Sequence, residues 1–575
     1  MTKERKDRET PARLARLLLG ALSGLLAGFA ALAVAELVSA AVRPQAGPVI
    51  AVGGAAIDRT PAGVKDWAIR HFGTNDKLVL QLGIVAVLAL LALLLGAVAT
   101  RHRRSGAAGV LLFGAVGAVA ATSRPDSTGS SDGLPSVLGA VAGALLLYVL
   151  VGRLRAPARG TADAGDAPAR GTVIAADAGA APARGTAIAS DAGPVDDSSD
   201  EDTAQRPRTG GQGWDRRGFV IAATAAAAAS AGAGLLGRSL NGKGGEQAAA
   251  SRKRVRLPAA ASTAAPIPKG AQLRVPGVSR FVTPNSAFYR VDTALVVPKV
   301  DATTWRLRIH GKGVARPMTV SFDDLLRREL IERDITLTCV SNEVGGPFVG
   351  NARWTGVRLA DLLAECGVEP PSRGGPADQL VARSVDGMTI GTPVDDVMDG
   401  RDAMLAVGMN GEPLPFDHGF PVRMVVPGLY GYVSACKWIK DIELTTFDAY
   451  DSYWVKRKWA RTAPIKTESR IDTPKPFARP TAGTVMVAGV AWAQHRGIER
   501  VEVRVDDGPW GTADLAAEDT RDTWRQWSFP WKATRGGHSL TVRATDRAGR
   551  TQTEKRTRTI PDGASGWHSV VVTVD

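Results

Sequence analysis

Five stretches of this chain are apolar over enough residues to cross a bilayer, which takes roughly 17–25. They lie at about 17–35, 78–100, 105–123, 134–152 and 218–237. In hydrocarbon every backbone polar group must be satisfied within the segment, so such stretches fold as helices. The front of the chain is therefore predicted to be an α-helical membrane anchor of about five spans. The fifth stretch, "GFVIAATAAAAASAGAGLLG", is Ala-rich and only weakly apolar, closer to the core of a signal peptide than to a firm anchor.

Basic flanks set the orientation. The N-terminal "KERKDRE", "RHRR" at 101–104 and "GRLR" at 152–155 belong inside, so a fifth crossing puts everything after about residue 240 outside. The net charge of +14 is read in the same way. Much of it sits beside the spans, and no zinc-finger, RNP or helix-turn-helix signature accompanies it, which argues against a nucleic-acid partner. The spans contain no His; His71 and His102 only flank the second. A membrane haem would need axial ligands within the bundle, so the spans are expected to anchor and not to carry electrons.

After this four-span region (1–152) comes a segment at 153–213 in which "APARGT" recurs at 156–161, 167–172 and 181–186, followed by "DDSSDED". It holds too few apolar residues to bury a core and is expected to be a disordered cytoplasmic linker. At 214–240, Arg216, Arg217 and Phe219 precede the weak fifth span, in the manner of an internal twin-arginine export signal. That route moves folded proteins and implies the twin-arginine translocase as a partner. The alternative is a plain positive-inside flank.

Twelve of the thirteen Trp follow residue 213, which marks the back half as globular. A linker at 241–270 leads to two domains. The first, 271–465, mixes strand-like runs ("TWRLRIHG", "MTVSF", "DITLTCV", "KDIELTTF") with helical ones ("FDDLLRREL", "VRLADLLAECGV") without strict alternation, which predicts α+β. The second, 474–575, has period-2 strands separated by turns, the pattern of an immunoglobulin-like sandwich. Within "TLTCVSNEVGGPFVGNARWTGV" (336–357), Cys339 stands between a β-branched run and a Gly/Asn-rich turn. An unpaired thiol outside the cytoplasm is unexpected, because disulfides form there. Such a thiol is either a small buried hydrophobe or a thiolate ligand for a soft or high-valent metal. Cys366 and Cys436 carry no comparable motif and are expected to be buried and inert.

In order, "TPNSAFYRVDT", "TWRLRIHG", "TLTCVSN…GNARWTGVRLADLL", "MNGEPLPFDHGFPVRMVVPGLYG" and "KWIKDIEL" resemble the sulfite oxidase family of molybdenum enzymes, over about 270–575. The sandwich resembles that family's C-terminal dimerisation domain, which implies a possible homodimer. The resemblance implies a molybdenum-molybdopterin cofactor with Cys339 as the protein's ligand to the metal. It implies that His418 and Arg423 contact the cofactor, with Arg423 near the phosphate. Lys437 joins them, helped by backbone around Ser434. Asn285, Tyr289 and Arg290 meet the pterin from another side, and Asp386 is a further contact. Asn342 or Glu343, next in sequence to the ligand, would face the open metal position.

Departures from the family matter too. Where sulfite oxidases carry "CAGNRR", this chain has "CVSNEVGG", so Glu343 and Val344 replace arginines; an "RNH" run becomes "RVDT", and Trp459 stands in for a catalytic Tyr. Fewer cations reverse the field that a doubly charged oxyanion needs. The expected activity is oxygen-atom and two-electron transfer to or from a small substrate other than sulfite. The layout fits bacterial members that reduce S-oxides or N-oxides. There is no C-x-x-C-H, iron–sulfur cysteine set or paired-His haem segment, so a separate electron partner, a cytochrome or quinone-linked protein, is implied. The competing reading is a non-catalytic extracytoplasmic binding module with a relic molybdopterin domain.

Overall fold

The computed structural model describes residues 2–61, 64, 67, 71–72, 76–155 and 216–575. The "APARGT" repeats and the acidic run lie outside the described residues. Among the described residues six helices open the chain: α1 (Thr2–Val42), α2 (Pro48–Arg59), α3 (Asp76–Ala99), α4 (Arg103–Thr122), α5 (Leu134–Arg155) and α6 (Arg216–Arg254). Five helical stretches among the described residues are long and apolar enough to cross a membrane: Leu14–Val42, Lys77–Ala99, Arg103–Thr122, Ser130–Arg155 and Arg217–Arg254.

The five correspond to the five apolar stretches, but the first and last helices overrun them. α6 continues to Arg254, well past the expected start of a linker at 241. Its polar end, "NGKGGEQAAASRKR", contains three glycines but ends in "EQAAASRKR", made mostly of good helix formers, and has no proline before Pro258. Its last turn is fastened to the globular half. Arg252 donates from Nε to the Leu414 carbonyl and from Nη2 to that of Pro413, both at 2.7 Å.

α1 is the helix on which α3, α5 and α6 assemble, and glycines set the spacing. A Cβ on Gly24 would stand 2.0 Å from the Ala92 carbonyl of α3, and one on Gly96 would stand 2.1 Å from the Gly20 carbonyl. Gly139 of α5 and Gly237 of α6 meet the α1 backbone at Ala31 and Leu37 in the same manner. Small residues let backbones touch where lipid leaves no hydrophobic drive between helices. At one end of the bundle Arg43 bridges Asp126 and Asp132, at 3.0 and 2.7 Å.

Residues 255–305 form an extended strap outside the strands, held by bonds such as Ala261 N–H to the Leu330 carbonyl (2.8 Å). Two sheets follow. In one, β1 (Arg306–Gly311) lies between β2 (Met318–Ser321) and β10 (Ile439–Thr445), and β10 pairs with β5 (Gln379–Ser384), which pairs with β6 (Thr389–Pro393). The β1–β10 pairing is parallel and the rest antiparallel. In the other, β3 (Leu330–Thr338), β4 (Val349–Arg358), β7 (Met404–Met409) and β8 (Glu412–Pro413) run in sequence, with β9 (Arg423–Val425) also on β7. The helices are short: α7 (Phe322–Leu326), α8 (Leu359–Glu365), α9 (Val394–Met398) and α10 (Gly431–Ser434). α7 shows why the sequence stops and starts where it does. Ser321 and Asp324 form a reciprocal capping box at its N-terminus. One apolar core that includes Trp305, Trp354, Phe322 and Phe420 joins the two sheets, an α+β arrangement.

The C-terminal region has two four-stranded sheets. One orders β11 (Glu468–Thr473), β12 (Gly483–Trp492), β16 (Arg525–Ala533) and β15 (Asp514–Leu515). The other orders β14 (Trp510–Thr512), β13 (Ile498–Val505), β17 (Gly536–Asp546) and β18 (His568–Val574). Val487, Trp527 and Trp531 of the first pack with Val503, Val542 and Val572 of the second. The region begins at Glu468, ahead of the expected boundary at 474, because the polar run "ESRIDT" pairs with β12 despite lacking strand-like apolarity.

Replacing Gly24 by Leu is expected to unseat α3 from α1. Forcing a side chain into a close-packed contact typically costs ~1–3 kcal/mol, more where backbone must move. The check is a lowered thermal midpoint of the detergent-extracted chain, with the same loss from Gly96→Leu.

Candidate active site

A cavity in the α+β domain is lined by residues from six separate stretches of chain: Tyr289 of the strap, Cys339 after β3, Asp386 after β5, His418, Arg423 of β9 and Lys437 after α10. Each arrives by ordinary local structure. Cys339 opens the hairpin turn between β3 and β4, whose register closes at Thr338 opposite Val349. Cys339 N–H donates to the Phe348 carbonyl (2.9 Å), and Asn342 N–H to the Cys339 carbonyl (3.0 Å). Gly345 takes φ +77° in the same turn, a left-handed conformation that glycine adopts without steric cost. Cys339 is buried, and the Ser341 N–H approaches its Sγ at 3.4 Å.

Arg423 carries an electrostatic cost. Its side chain is buried, and burial pulls the guanidinium down to about 10. It donates to the His418 carbonyl (3.3 Å) and stacks 4.9 Å over the Trp354 ring, while Nε has no partner. Among the described residues no carboxylate pairs with it. A buried charge without a counter-charge is expensive, so the cavity is built to receive an anion.

His418 is held by Asn285: Nε2 lies 3.0 Å from the Asn285 carbonyl, which can only accept. Nε2 therefore carries the proton, and Nδ1 is a lone-pair acceptor when the ring is neutral. Burial, then the neighbouring Arg423, lowers its pKa to about 4. Lys437, itself pushed down by burial, is held by Asp292: Nζ lies 2.9 Å from Asp292 Oδ2 and donates to the Asp417 carbonyl at 3.2 Å. Burial alone would raise the Asp292 carboxyl. The ammonium groups of Lys437 and Lys77 override it and hold the group at about 2. Burial pushes the Asp386 carboxyl up. Burial also raises the Tyr289 phenol.

Several expected residues lie elsewhere. Asn285 acts from behind the wall, through His418 and through its own bonds to Met409 and Asn410. Arg290 is at the rim, 3.4 Å from Asp417. The Ser434 hydroxyl is fully buried and spent on the carbonyls of Leu429 and Tyr430, so it shapes the turn before Lys437 and does not line the cavity. Asn342 and Glu343 do not face the cavity either. The Asn342 Oδ1 accepts from Phe348 N–H at 2.8 Å and so braces the cysteine turn, and Glu343 is turned out to solvent. Cys366 and Cys436 are free and buried, and burial raises both thiols. Sequence reasoning missed Asp292, whose only sign was one acid in "RVDT". It also passed over the aromatic wall of Phe288, Tyr432, Trp438 and Trp454. Trp459 joins that wall, buried, with its indole N–H unpartnered.

Residues 294–454 match the family model described as "Oxidoreductase molybdopterin binding domain". The mitochondrial sulfite oxidase of Homo sapiens is 30% identical over 306 residues, covering 46% of this chain and 55% of that protein. Nitrate reductase (NADH) 1 of Oryza sativa subsp. japonica is 35% identical over 199 residues, covering 31% of this chain and 21% of that one. Among solved structures, the sulfane dehydrogenase SoxCD of Paracoccus pantotrophus aligns at 25% identity with a TM-score of 0.44, covering 51% of this chain and 83% of that one. The chain spans about half the length of the mammalian sulfite oxidases it matches.

Because the folded His418 binds its proton more weakly than an unfolded one, its neutral burial stabilises fully above pH ~6.5, and this is lost as pH falls from ~6.5 through about 4. The loss amounts to at most ~3 kcal/mol. A His418→Gln variant is expected to show a correspondingly flatter unfolding free energy between those pH values, measured by denaturant titration against the unsubstituted chain. On sequence, then, this chain contains an oxidoreductase molybdopterin-binding domain related to those of sulfite oxidases and nitrate reductases.

Proposed function

We propose that this chain is a membrane-anchored, extracytoplasmic molybdopterin-dependent oxidoreductase that transfers an oxygen atom and two electrons to or from a small substrate other than sulfite. The observation that carries the reading is the shared cavity of Cys339 and a buried, uncompensated Arg423. A thiolate donor beside a guanidinium that lacks an anion suits a group bearing both a soft metal and a phosphate. Among the described residues no three His, Cys, Asp or Glu side chains converge as a metal cage. One protein thiolate is then the appropriate complement for a metal that arrives already bound to its cofactor. When bound, molybdopterin supplies the molybdenum at which oxygen-atom and two-electron exchange occurs.

The residues of the chain hold and orient. Cys339 ligates the metal. Arg423 and Lys437 bind the phosphate. Neutral His418, fixed by Asn285, offers Nδ1 to a donor on the cofactor, and Tyr289, Arg290 and Asp386 meet the pterin. The substrate faces aromatic walls at Tyr432, Trp454 and Trp459. Val344 stands where sulfite oxidases carry an arginine. This favours a neutral S-oxide or N-oxide over an oxyanion, with the Trp459 indole N–H free to donate to its oxygen.

The proposed location is supported by the charge rule and by one structural agreement. Asp58, Pro125 and Asp126, in the segments that the rule puts outside, and Lys77, at the outer start of α3, all touch the α+β domain. The Tyr453 hydroxyl donates to Asp58 at 2.7 Å, Lys77 pairs with Asp292, and Gly387 abuts Pro125 and Asp126. Export of the folded domain would use the twin-arginine translocase through Arg216 and Arg217. Electrons pass to or from a separate cytochrome or quinone-linked protein, and the immunoglobulin-like sandwich offers a homodimer contact.

The test is elemental analysis of the full-length chain from a host that makes molybdopterin and exports folded proteins. Stoichiometric molybdenum is expected, together with an altered metal spectrum and a more than ~10²-fold loss of oxide reduction in Cys339→Ala. Trp459→Phe is expected to weaken substrate use about tenfold, the worth of one hydrogen bond, while retaining the metal. A folded, exported chain without molybdenum overturns the proposal.

A further inference from the structure

We propose that the helical half is a working part of the cofactor site: Lys77, at the start of α3, is a positioning residue whose charge keeps the Lys437 end of the cavity net positive for the cofactor phosphate. The inference rests on the molybdopterin reading above. Asp292 is almost completely buried, its side chain 2% exposed, and it is shared between two ammonium groups. Oδ1 pairs with Lys77, and Oδ2 lies 2.9 Å from Lys437 Nζ. Lys77 Nζ also donates to the Ala294 carbonyl at 2.6 Å, so its head group is fixed on the strap beside the cavity.

Asp292 and Lys437 alone would make a neutral pair, and a phosphate arriving there would meet a cancelled charge. A second ammonium on the same carboxylate leaves one net positive charge. That charge is poorly screened because the Asp292 side chain is only 2% exposed and that of Lys437 11%. Lys77 does not reach the cavity, so it acts through Asp292 and Lys437.

The contact is one of a set. Asp58 receives the Tyr453 hydroxyl and its carbonyl accepts from Arg457 at 2.8 Å, next to Trp454 of the cavity wall. Gly387, next to Asp386 of the same wall, approaches Asp126 so closely that a Cβ would stand 2.2 Å from its nitrogen. Leu295 packs on Gly53 of α2. The helical half thus seats on the rim where Asp292, Asp386 and Trp454 line the cavity.

The experiment measures cofactor retention, not turnover. Full-length chain is extracted from a molybdopterin-producing host, and molybdenum by elemental analysis and pterin by fluorescence after oxidative release are counted per chain. Lys77→Gln is expected to hold roughly tenfold less of both, the scale of one lost unit charge near a buried pair. Lys77→Arg should match the unsubstituted chain. Lys77→Gln combined with Asp292→Asn should recover loading, because removing the carboxylate frees the Lys437 charge. Equal loading of Lys77→Gln and the unsubstituted chain overturns the inference. A loss that the double variant does not recover, or a chain that folds only with lysine at 77, overturns it too, since either marks a mechanical tether. An unsubstituted chain without molybdenum fails the enzyme proposal itself, before any substitution is compared.

Discussion

A guanidinium buried without a counter-charge organises this domain. Arg423 opens the three-residue strand β9, and its immediate neighbours are the His418 carbonyl and the face of Trp354. Neither neutralises it. Everything around it is arranged so that this can persist: His418 is held neutral, Lys437 is tied back to Asp292, and the thiol-bearing turn is closed by backbone and by the Asn342 side chain. Strain of this electrostatic kind is stored where a ligand will relieve it. The two sheets and their shared aromatic core are the rigid frame that keeps six distant stretches of chain converging on that one charge.

The helices could be read from sequence because a long apolar run has one viable fold in lipid, yet their ends could not. α6 outran its apolar run because Ala, Lys and Arg carry a helix without any hydrophobic requirement. The strap at 255–305 was legible only as a Pro/Ala-rich connection, since it takes its backbone partners from elements far along the chain, as when Ala261 bonds to Leu330. Strands such as "TWRLRIHG" and "DITLTCV" fell where alternation and β-branching put them.

At the site, residues in compact motifs were legible and residues that act by geometry were not. Cys339, His418, Arg423 and Lys437 stand in distinctive local patterns, and the structure brings them to one cavity. Asn342 and Glu343 were expected there by adjacency to Cys339, but in a tight turn neighbouring side chains point in different directions, one into the turn and one into solvent. Asp292 was invisible because its role is defined by two lysines that are 215 and 145 positions away.

The rigid seam between α6 and the globular half has a consequence for how the molecule meets anything else. The helix runs unbroken to Arg254, where Arg252 is bolted to the chain at Pro413 and Leu414, so among the described residues α6 joins the domain directly. Each residue added to such a rod would rotate the domain by about 100° and lift it by about 1.5 Å. In the membrane-anchored chain proposed above, height and azimuth are therefore built into the chain length, and the proposed redox partner, travelling in the plane of the bilayer, would meet one fixed face of the domain. The search such a partner makes is two-dimensional, and the orientation is settled before the encounter begins.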